Sequence, residues 1–291
     1  MSITVILMVL ASTFMHAGWN LLARYYRSET TFYKKMLIFT AGIGILPAIW
    51  SELVARSMTP LAWACVVGSG FSASLYLFGL ARAYAMTDFT IVYPVVRSLP
   101  VLFIGIADVL RGHPLSVWGW AGLLLVTAGC TLVPLRNFRD FSPSRYLNRA
   151  TLWMLLGALG MVGYTLLDKI AAEVVQQGPA TAARYGIFYF TITLLPYHLL
   201  MRTVKTDKEE PNGDWKLAFI AALLSFLAYW LILWAYQLSP IASYIVAFRQ
   251  FSIVIGAVFA FVVFKEQGVA IRLMGAFLIV FGMLLIALLG G

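Results

Sequence analysis

Residues 215–238 read WKLAFIAALLSFLAYWLILWAYQL, and this stretch decides the class of fold. Its one charged side chain is that of Lys216, at the second position. A helix needs roughly 20 apolar residues to cross a bilayer core of about 30 Å. The stretch therefore predicts a helix that spans a membrane.

The rest of the chain has the same character. Its 291 residues are 62% hydrophobic and 11% charged, whereas soluble domains are about 45–50% apolar and about 25% charged. The net charge of +9 does not indicate nucleic-acid binding, because the basic residues lie mainly between apolar segments and form no basic face. The composition excludes a soluble fold and predicts a multi-pass membrane protein.

Apolar segments separated by short polar loops continue along the whole chain. We predict an all-α protein with ten transmembrane helices, over Ile3–Leu22, Met36–Leu53, Leu61–Ala83, Phe89–Val109, Val117–Leu135, Thr151–Ile170, Ala183–Met201, Trp215–Leu238, Ile241–Phe264 and Ile271–Leu289.

A polar linker at 136–149 separates the first five segments from the last five, and the two groups share a repeat. Residues 18–24 (GWNLLAR) match residues 163–169 (GYTLLDK) at an offset of 145. Three further pairs follow in the same order, at offsets of 152 or 153: Ala83-Tyr84 with Ala235-Tyr236, Arg97 with Arg249, and Gly122 and Gly129 with Gly275 and Gly282.

An odd number of helices per repeat makes the second half enter the membrane from the opposite side. The repeat therefore predicts two inverted five-helix units, residues 1–140 and 150–291, joined by a linker at 141–149. Many secondary transporters use inverted repeats to build a binding site at the membrane midplane. The alternative is a duplicated membrane protein without a transport role.

The distribution of Lys and Arg predicts the orientation. Fifteen lie in or beside loops that follow odd-numbered segments and four in or beside loops that follow even-numbered segments, and the remaining two of 21 lie near mid-depth in their segments. This bias places both termini outside the cytoplasm.

Those two intramembrane arginines, Arg97 and Arg249, are the ninth residues of their segments. A charge at mid-depth costs at least about 2.5–3.5 kcal/mol, so such residues face the bundle interior or a water-filled cavity. Arginine stays protonated, and its planar donors suit carboxylate or phosphate. The pair predicts a site for an anionic group. The alternative is a structural role, in which the arginines pair with Asp108 or Asp168 or with backbone carbonyls.

Further polar and aromatic residues surround these two positions in the predicted bundle. His16, Trp19 and Asn20 share one face of the first helix, and His16 and Asp168 are candidates for proton coupling. The other candidate substrate-binding residues are Tyr93, Tyr164, Gln250, Tyr76, Trp230 and Trp234. The paired glycines of the fifth and tenth segments predict close helix packing.

No Walker loop, GxSxG elbow, HExxH helix or CxxC pair occurs in the sequence. ATP-driven transport by this chain alone and catalysis by those constellations are therefore not expected, nor is a metal or cofactor. The expected partners are a small-molecule substrate and the lipid bilayer, with protons or an exchanged metabolite as the coupling species, and no nucleic acid.

Several motifs make the sequence resemble the EamA-type transporters of the drug/metabolite transporter superfamily. They are the ten segments in two repeats, the Ala-Tyr pairs, Lys265-Glu266, His16-Ala17-Gly18-Trp19-Asn20, Tyr93-Pro94-x-x-Arg97-x-x-Pro100, Tyr164-x-x-x-Asp168-Lys169 and Phe248-Arg249-x-x-Ser252.

The resemblance implies a carrier of metabolites in a bacterial inner membrane, often an exporter, and some similar proteins are linked to phosphonates. The sequence departs from the family pattern at Gln250 and His113, where acidic residues are common. Relatives with cytoplasmic termini also conflict with the charge bias.

Three functional hypotheses follow. The first is a carrier for an organic anion or zwitterion, amino-acid-like or phosphonate-like, that works by alternating access. The second is a multidrug exporter for lipophilic cations, against which stands the absence of Asp and Glu from the first segment. The third is a non-transporting membrane subunit or a lipid-modifying enzyme.

Overall fold

The computed structural model describes residues 1–25, 29–86, 89–135, 149–203, 215–264 and 269–291. Within these ranges the protein is all-α. Its helices are α1 (Ile3–Tyr25), α2 (Glu29–Ala55), α3 (Pro60–Tyr84), α4 (Phe89–Leu110), α5 (Val117–Leu132), α6 (Ala150–Val174), α7 (Pro179–Arg202), α8 (Trp215–Leu238), α9 (Ala242–Arg249), α10 (Phe251–Phe264) and α11 (Val269–Leu289).

Each of the ten predicted segments forms a helix in the structure, but the helix of the fifth ends at Leu132 rather than Leu135, and the ninth is divided. The prediction of one helix over Ile241–Phe264 was wrong at Gln250, which forms a turn between α9 and α10. The Gln250 carbonyl accepts a tight i+3 bond from Ile253 N (2.8 Å), and Ser252 Oγ donates to the freed Arg249 carbonyl (3.0 Å). The turn therefore follows directly after Arg249.

Six of the described helical stretches are long and apolar enough to cross a membrane, so the protein is a multi-pass membrane protein. They are Ile3–Asn20, Thr31–Ala55, Pro60–Tyr84, Ala150–Val174, Trp215–Leu238 and Ala270–Leu289.

Burial is inverted relative to a water-soluble protein. The outward faces carry large apolar side chains such as Leu110, Val117 and Leu288, which are 82%, 81% and 76% exposed. Charged side chains, among them Asp168 and Lys169, are buried in the bundle. Lipid is the solvent that makes this arrangement favourable.

Long-range helix pairs organise the bundle. α3 packs along α6, α1 along α8, α2 along α7 and α5 along α11, and α4 contacts α5, α6 and α9. Each long pair joins one helix from the first half of the chain to one from the second half. The centre of the bundle therefore lies between the two halves.

Glycines set the distance between α5 and α11. A Cβ atom on Gly129 would lie 2.5 Å from the Gly275 carbonyl oxygen, and one on Gly122 would lie 2.7 Å from the Gly282 oxygen. Both distances are shorter than a carbon–oxygen contact allows, so the two backbones touch. The prediction that these glycines serve close helix packing is confirmed.

Loop contacts define two ends of the bundle. Gln176 N donates to the Ser57 carbonyl (3.0 Å), and Ser116 Oγ donates to the Gly290 carbonyl (3.1 Å). We call the end that carries these four residues the terminal face. The opposite end, where α5 ends and α6 begins, is the linker face. Of the predicted linker at 141–149, residues 141–148 lie outside the described residues.

Candidate functional site

A cavity of about 70 Å³ lies inside the bundle, between both halves of the chain. One water needs roughly 10–15 Å³, so the cavity suits a small solute or a few waters. Six of the predicted site residues line it: His16, Trp19, Tyr76, Arg97, Tyr164 and Arg249. Met36 and Leu37, near the start of α2, extend the lining toward the linker face.

Both intramembrane arginines face this cavity and are nearly buried, with exposed fractions of 3% for Arg97 and 7% for Arg249. Arg97 Nη2 donates to Ser252 Oγ over 3.3 Å, and its Nη1 lies 3.4 Å from His16 Nε2. The Arg249 guanidinium carbon lies 5.9 Å from the centre of the Tyr229 ring. Arg249 Nη1 is buried without a hydrogen-bond partner among the described residues.

The contact with Arg97 determines which ring nitrogen of His16 carries the proton. A guanidinium N–H can only donate, so His16 Nε2 must accept and the imidazole proton then lies on Nδ1. The His16 ring also packs edge-on against Trp19, with centroids 4.9 Å apart. Protonation of Nε2 would break the contact with Arg97, so a proton and this contact exclude each other at His16.

Four tyrosines form one wall of the cavity, and we call them the tyrosine cluster: Tyr76, Tyr164, Tyr189 and Tyr229. The Tyr76 and Tyr164 rings are 5.8 Å apart, the Tyr164 and Tyr229 rings 6.2 Å, and the Tyr189 and Tyr229 rings 4.5 Å. The cluster offers polarisable ring faces next to Arg249 together with phenol groups that can bind a polar solute.

Asp168 lies behind the tyrosine cluster and does not line the cavity. Its carboxylate accepts hydrogen bonds from Ser69 Oγ (2.5 Å), from the Tyr185 hydroxyl (2.9 Å) and from the Tyr229 hydroxyl. In the part of the chain that the structure describes, no group of three His, Cys, Asp or Glu side chains is arranged to hold a metal ion.

Four of the remaining predicted residues, Asn20, Gln250, Trp230 and Trp234, are not among the described residues that line this cavity. Asn20 Nδ2 donates to the His16 carbonyl (2.8 Å), and Gln250 Nε2 donates to the Val246 carbonyl (3.1 Å). Trp230 stacks on Trp234 and donates to the Pro179 carbonyl (2.8 Å), which directs it toward the start of α7. Tyr93 belongs to α4, and its side chain is outside the described part of the structure.

A cluster of charged side chains closes the bundle at the terminal face. Arg111 Nη2 lies 2.5 Å from Glu173 Oε2, and Lys169 Nζ lies 3.1 Å from Glu173 Oε1. Lys169 also donates to the carbonyls of Tyr236 (2.9 Å) and Ser239 (2.6 Å), where a cation complements the end of α8. We call Arg111, Lys169 and Glu173 the terminal cluster; it joins α4 to α6 and α8.

Two more polar contacts join the halves at the same end. Asp108 of α4 accepts from Ser243 N at the start of α9 (2.7 Å), which links the two helices that carry the cavity arginines. Glu52 of α2 accepts from Arg184 Nε of α7 (2.9 Å), and Ser57 Oγ bonds to both partners. These buried contacts connect the two halves of the chain at the terminal face.

Five polar cavity residues were not predicted from the sequence: Ser12, Tyr189, Thr193, Ser225 and Tyr229. All five are residue types that occur throughout membrane helices, and no local pattern distinguishes them. Tyr189 and Tyr229 matter most, because they link the cavity to Asp168.

The helical bundle, with two buried arginines that face its central cavity, defines the chain as a polytopic membrane protein. Residues 148–288 match the model of the EamA-like transporter family, which is part of the drug/metabolite transporter superfamily. The resemblance inferred from the sequence motifs is confirmed.

Comparison of whole structures agrees on the fold. The chain is similar to a solved structure titled "Crystal structure of protein", with a TM-score of 0.69 and 17% sequence identity over 99% of this chain and 98% of that one. At this identity the likeness shows the fold alone. No curated protein matches the chain in sequence.

Proposed function

We propose that the protein is a secondary active carrier that moves a small organic anion or zwitterion across a bacterial inner membrane by alternating access. One observation carries the proposal: the buried Arg249 guanidinium faces a central cavity with an Nη1 atom that has no hydrogen-bond partner in the described part of the chain. A buried cationic donor of this kind is costly unless a ligand satisfies it.

The charge of the cavity favours an anionic group over a cation. Arg97 and Arg249 both face it, and no Asp or Glu is among its described lining residues. Inside a low-dielectric bundle, two positive charges attract a carboxylate or phosphonate far more strongly than they would in water. The same charges repel a lipophilic cation, which weighs against the multidrug alternative. A zwitterion fits if its anionic end lies near the arginines.

The helix pairs support two inverted repeats of five helices each, residues 1–140 and 150–291. If α1 corresponds to α6 and α3 to α8, then the α1–α8 pair corresponds to the α6–α3 pair. The α2–α7 and α5–α11 pairs then each join a helix to its own counterpart. All four pairs occur. Gly122 meets Gly282 while Gly129 meets Gly275, the crossed pairing that a two-fold axis in the membrane plane produces.

Alternating access is supported by ion pairs that hold the two halves together at one end of the cavity. The terminal cluster and the Glu52–Arg184 pair hold the two halves together at the terminal face. Counted along their helices, Trp19, Met36 and Thr193 lie nearer the linker face, so the cavity extends in that direction. We infer that transport breaks the terminal contacts and closes the linker end, with a proton or an exchanged metabolite driving the cycle.

Thermal stabilisation of the purified protein tests this proposal. The probes are a small phosphonate (methylphosphonate), zwitterions (2-aminoethylphosphonate and alanine) and a lipophilic cation (tetraphenylphosphonium), each in a separate sample. A ligand at 100 times its Kd stabilises the folded state by about 2.7 kcal/mol. We expect an anion or zwitterion to stabilise the protein and Arg249→Gln to abolish the effect.

The matched control is Arg202→Gln, at the exposed end of α7, which removes an arginine outside the cavity and should leave the stabilisation intact. Stabilisation by tetraphenylphosphonium alone would contradict the anion site and favour the multidrug carrier. A protein that no small solute stabilises would favour the non-transporting subunit or the lipid-modifying enzyme.

A further inference from the structure

Asp168 lies between two cavities. On one side the tyrosine cluster separates it from the central cavity. On the other side Asp168 lines a second cavity of about 10 Å³, together with Tyr185, Val175 and Gln237. Val175 directly follows α6 and Gln237 is near the end of α8, both at the terminal face. The second cavity has about the volume that one water needs, so a single water there would connect Asp168 to that face.

The hydrogen bonds around Asp168 respond to its charge. As a carboxylate it accepts from three hydroxyl groups, those of Ser69, Tyr185 and Tyr229. A protonated Asp168 must donate its own hydrogen, so one of the three hydroxyls must become an acceptor and turn its hydrogen elsewhere. Tyr229 can do so, because its side chain also shares a hydrogen bond with Tyr189, which lines the central cavity.

Tyr229 is also the residue that connects Asp168 to the arginine site. Its hydroxyl bonds the carboxylate, and its ring lies below the Arg249 guanidinium at 5.9 Å. A negative charge on Asp168 stabilises the Arg249 cation and competes with a bound anion for it. When a proton neutralises Asp168, that competition ends and Arg249 binds an anion more tightly. Since coupling is reciprocal, a bound anion must strengthen proton binding by the same factor.

We propose that Asp168 is a proton-binding site reached from the terminal face and that Tyr229 couples its occupancy to Arg249, so that a proton and an anion bind together. Binding of both to one state predicts their transport in the same direction. The binding of an anion to Arg249 and its transport with a proton rest on the proposed function, whereas the coupling between Asp168 and Arg249 does not.

Other titratable or charged groups interact with Asp168 or with the tyrosines around it. They are Cys65 of α3, Arg97 of α4, Tyr164 of α6, Tyr185 and Tyr189 of α7, Tyr229 and Tyr236 of α8, and Arg249 of α9. Asp168 is the one carboxyl group in this set, so an infrared carbonyl signal from a protonated acid distinguishes it from the thiol, phenol and guanidinium groups.

The test is an infrared pH titration of the purified protein without any substrate, in which loss of the band in Asp168→Asn assigns the carbonyl. Arg249→Gln imitates an anion that neutralises the arginine. We expect it to move the midpoint of the Asp168 band to higher pH by about one unit, a tenfold change in proton affinity, within the usual range of coupling between sites.

Two tyrosine variants decide the route of the coupling. Tyr185→Phe and Tyr229→Phe each remove one hydrogen bond to Asp168 and keep the ring, but only Tyr229 contacts Arg249. We expect the shift caused by Arg249→Gln to persist in the Tyr185→Phe background and to fall by half or more in the Tyr229→Phe background. Thermal unfolding confirms that each variant is folded.

The proposal is overturned if no titrating band disappears in Asp168→Asn, if Arg249→Gln leaves the midpoint unchanged, or if both tyrosine backgrounds show the same shift. Failure of the proposed function has a different signature. In that case the substrate-free titration behaves as expected, while no anion or zwitterion stabilises the protein in the thermal assay.

Discussion

The substitution Glu173→Gln removes the carboxylate that Arg111 and Lys169 share at the terminal face. In the structure Glu173 lies 2.5 Å from Arg111 and 3.1 Å from Lys169, and His113 Nε2 lies 3.9 Å away. The glutamine keeps the volume of the side chain but leaves two neighbouring cations without their common counter-charge. If the terminal cluster holds this end closed, the substitution should favour the state in which it is open.

The size of the shift follows from the exposure of these side chains. The Glu173 side chain is 35% exposed and the Arg111 side chain 21%, so their contact is partly screened by solvent. Exposed ion pairs contribute about 0.2–1 kcal/mol each, and two such contacts are lost. Together they correspond to roughly 0.4–2 kcal/mol, which changes an equilibrium by about 2-fold to 30-fold.

Cys65 provides the assay, since it is buried on α3, in the second turn from the terminal face. We expect Glu173→Gln to increase the rate at which a charged, membrane-impermeant thiol reagent modifies Cys65 by about 2-fold to 30-fold. The background carries Cys130→Ser, so that Cys65 is the single thiol. Arg202→Gln, at the opposite end of the bundle, is the charge control and should leave the rate unchanged.

An unchanged or slower modification of Cys65 in a folded Glu173→Gln protein would refute the assignment of the terminal cluster as a closing contact. An equal increase in the Arg202→Gln control would show that the rate follows net charge rather than opening of this face.

Three further predictions concern stability and topology. Gly129→Leu should lower the melting temperature, because its Cβ would lie 2.5 Å from the Gly275 oxygen and overpacking costs about 1–3 kcal/mol or more. The control is Gly42→Ala, which has no atom within 4 Å of its Cβ. An equal loss of stability in the control would contradict the packing argument. Arg184→Gln should destabilise by about 3–5 kcal/mol, because Glu52 stays buried without its cation, and adding Glu52→Gln should recover part of that loss in chemical unfolding. A reporter fused to the C-terminus should be active when it requires the periplasm, and activity of a cytoplasmic reporter instead would reverse the orientation predicted from charge.

The helical segments were predictable because lipid imposes a simple rule on composition. A segment that crosses the bilayer must be long and apolar, so its length and hydropathy are visible in the sequence. The division of the ninth segment was not predictable in this way. Gln250 is neither Gly nor Pro, and the turn depends on a hydroxyl from Ser252 that satisfies the Arg249 carbonyl. A local break of this kind is decided by contacts rather than by hydropathy.

The candidate site was predictable at positions where a polar or charged side chain has a high free-energy cost in the membrane. This applies to Arg97, Arg249, His16 and Asp168. Ionisable side chains at membrane depth are rare, and they face the bundle interior or a water-filled cavity. The tyrosine cluster was only half predicted, since Tyr189 and Tyr229 resemble ordinary packing residues until their rings are seen beside Arg249. For the same reason Trp230 and Trp234 were predicted at the cavity, whereas the structure places them beside the start of α7.

The repeat and the structure contribute different information about the arginines. The matching offsets relate Arg97 to Arg249, but they do not distinguish the environments of the two side chains. In the structure both Nη atoms of Arg97 are engaged, with His16 and Ser252, whereas Arg249 contacts the ring of Tyr229 and its Nη1 has no hydrogen-bond partner in the described part of the chain. Arg249 is therefore the stronger candidate for the residue that holds the anionic group.

The central claim is that this protein carries an anionic or zwitterionic solute on Arg249, and exchange across a membrane tests it most directly. Purified protein is reconstituted into vesicles loaded with the unlabelled solute that stabilises it best, and entry of the same labelled solute is measured beside entry of labelled tetraphenylphosphonium. We expect rapid exchange of the anion or zwitterion, its loss in Arg249→Gln and its persistence in Arg202→Gln. Exchange of tetraphenylphosphonium alone, or anion exchange that Arg249→Gln leaves unchanged, would show that Arg249 does not carry an anionic solute.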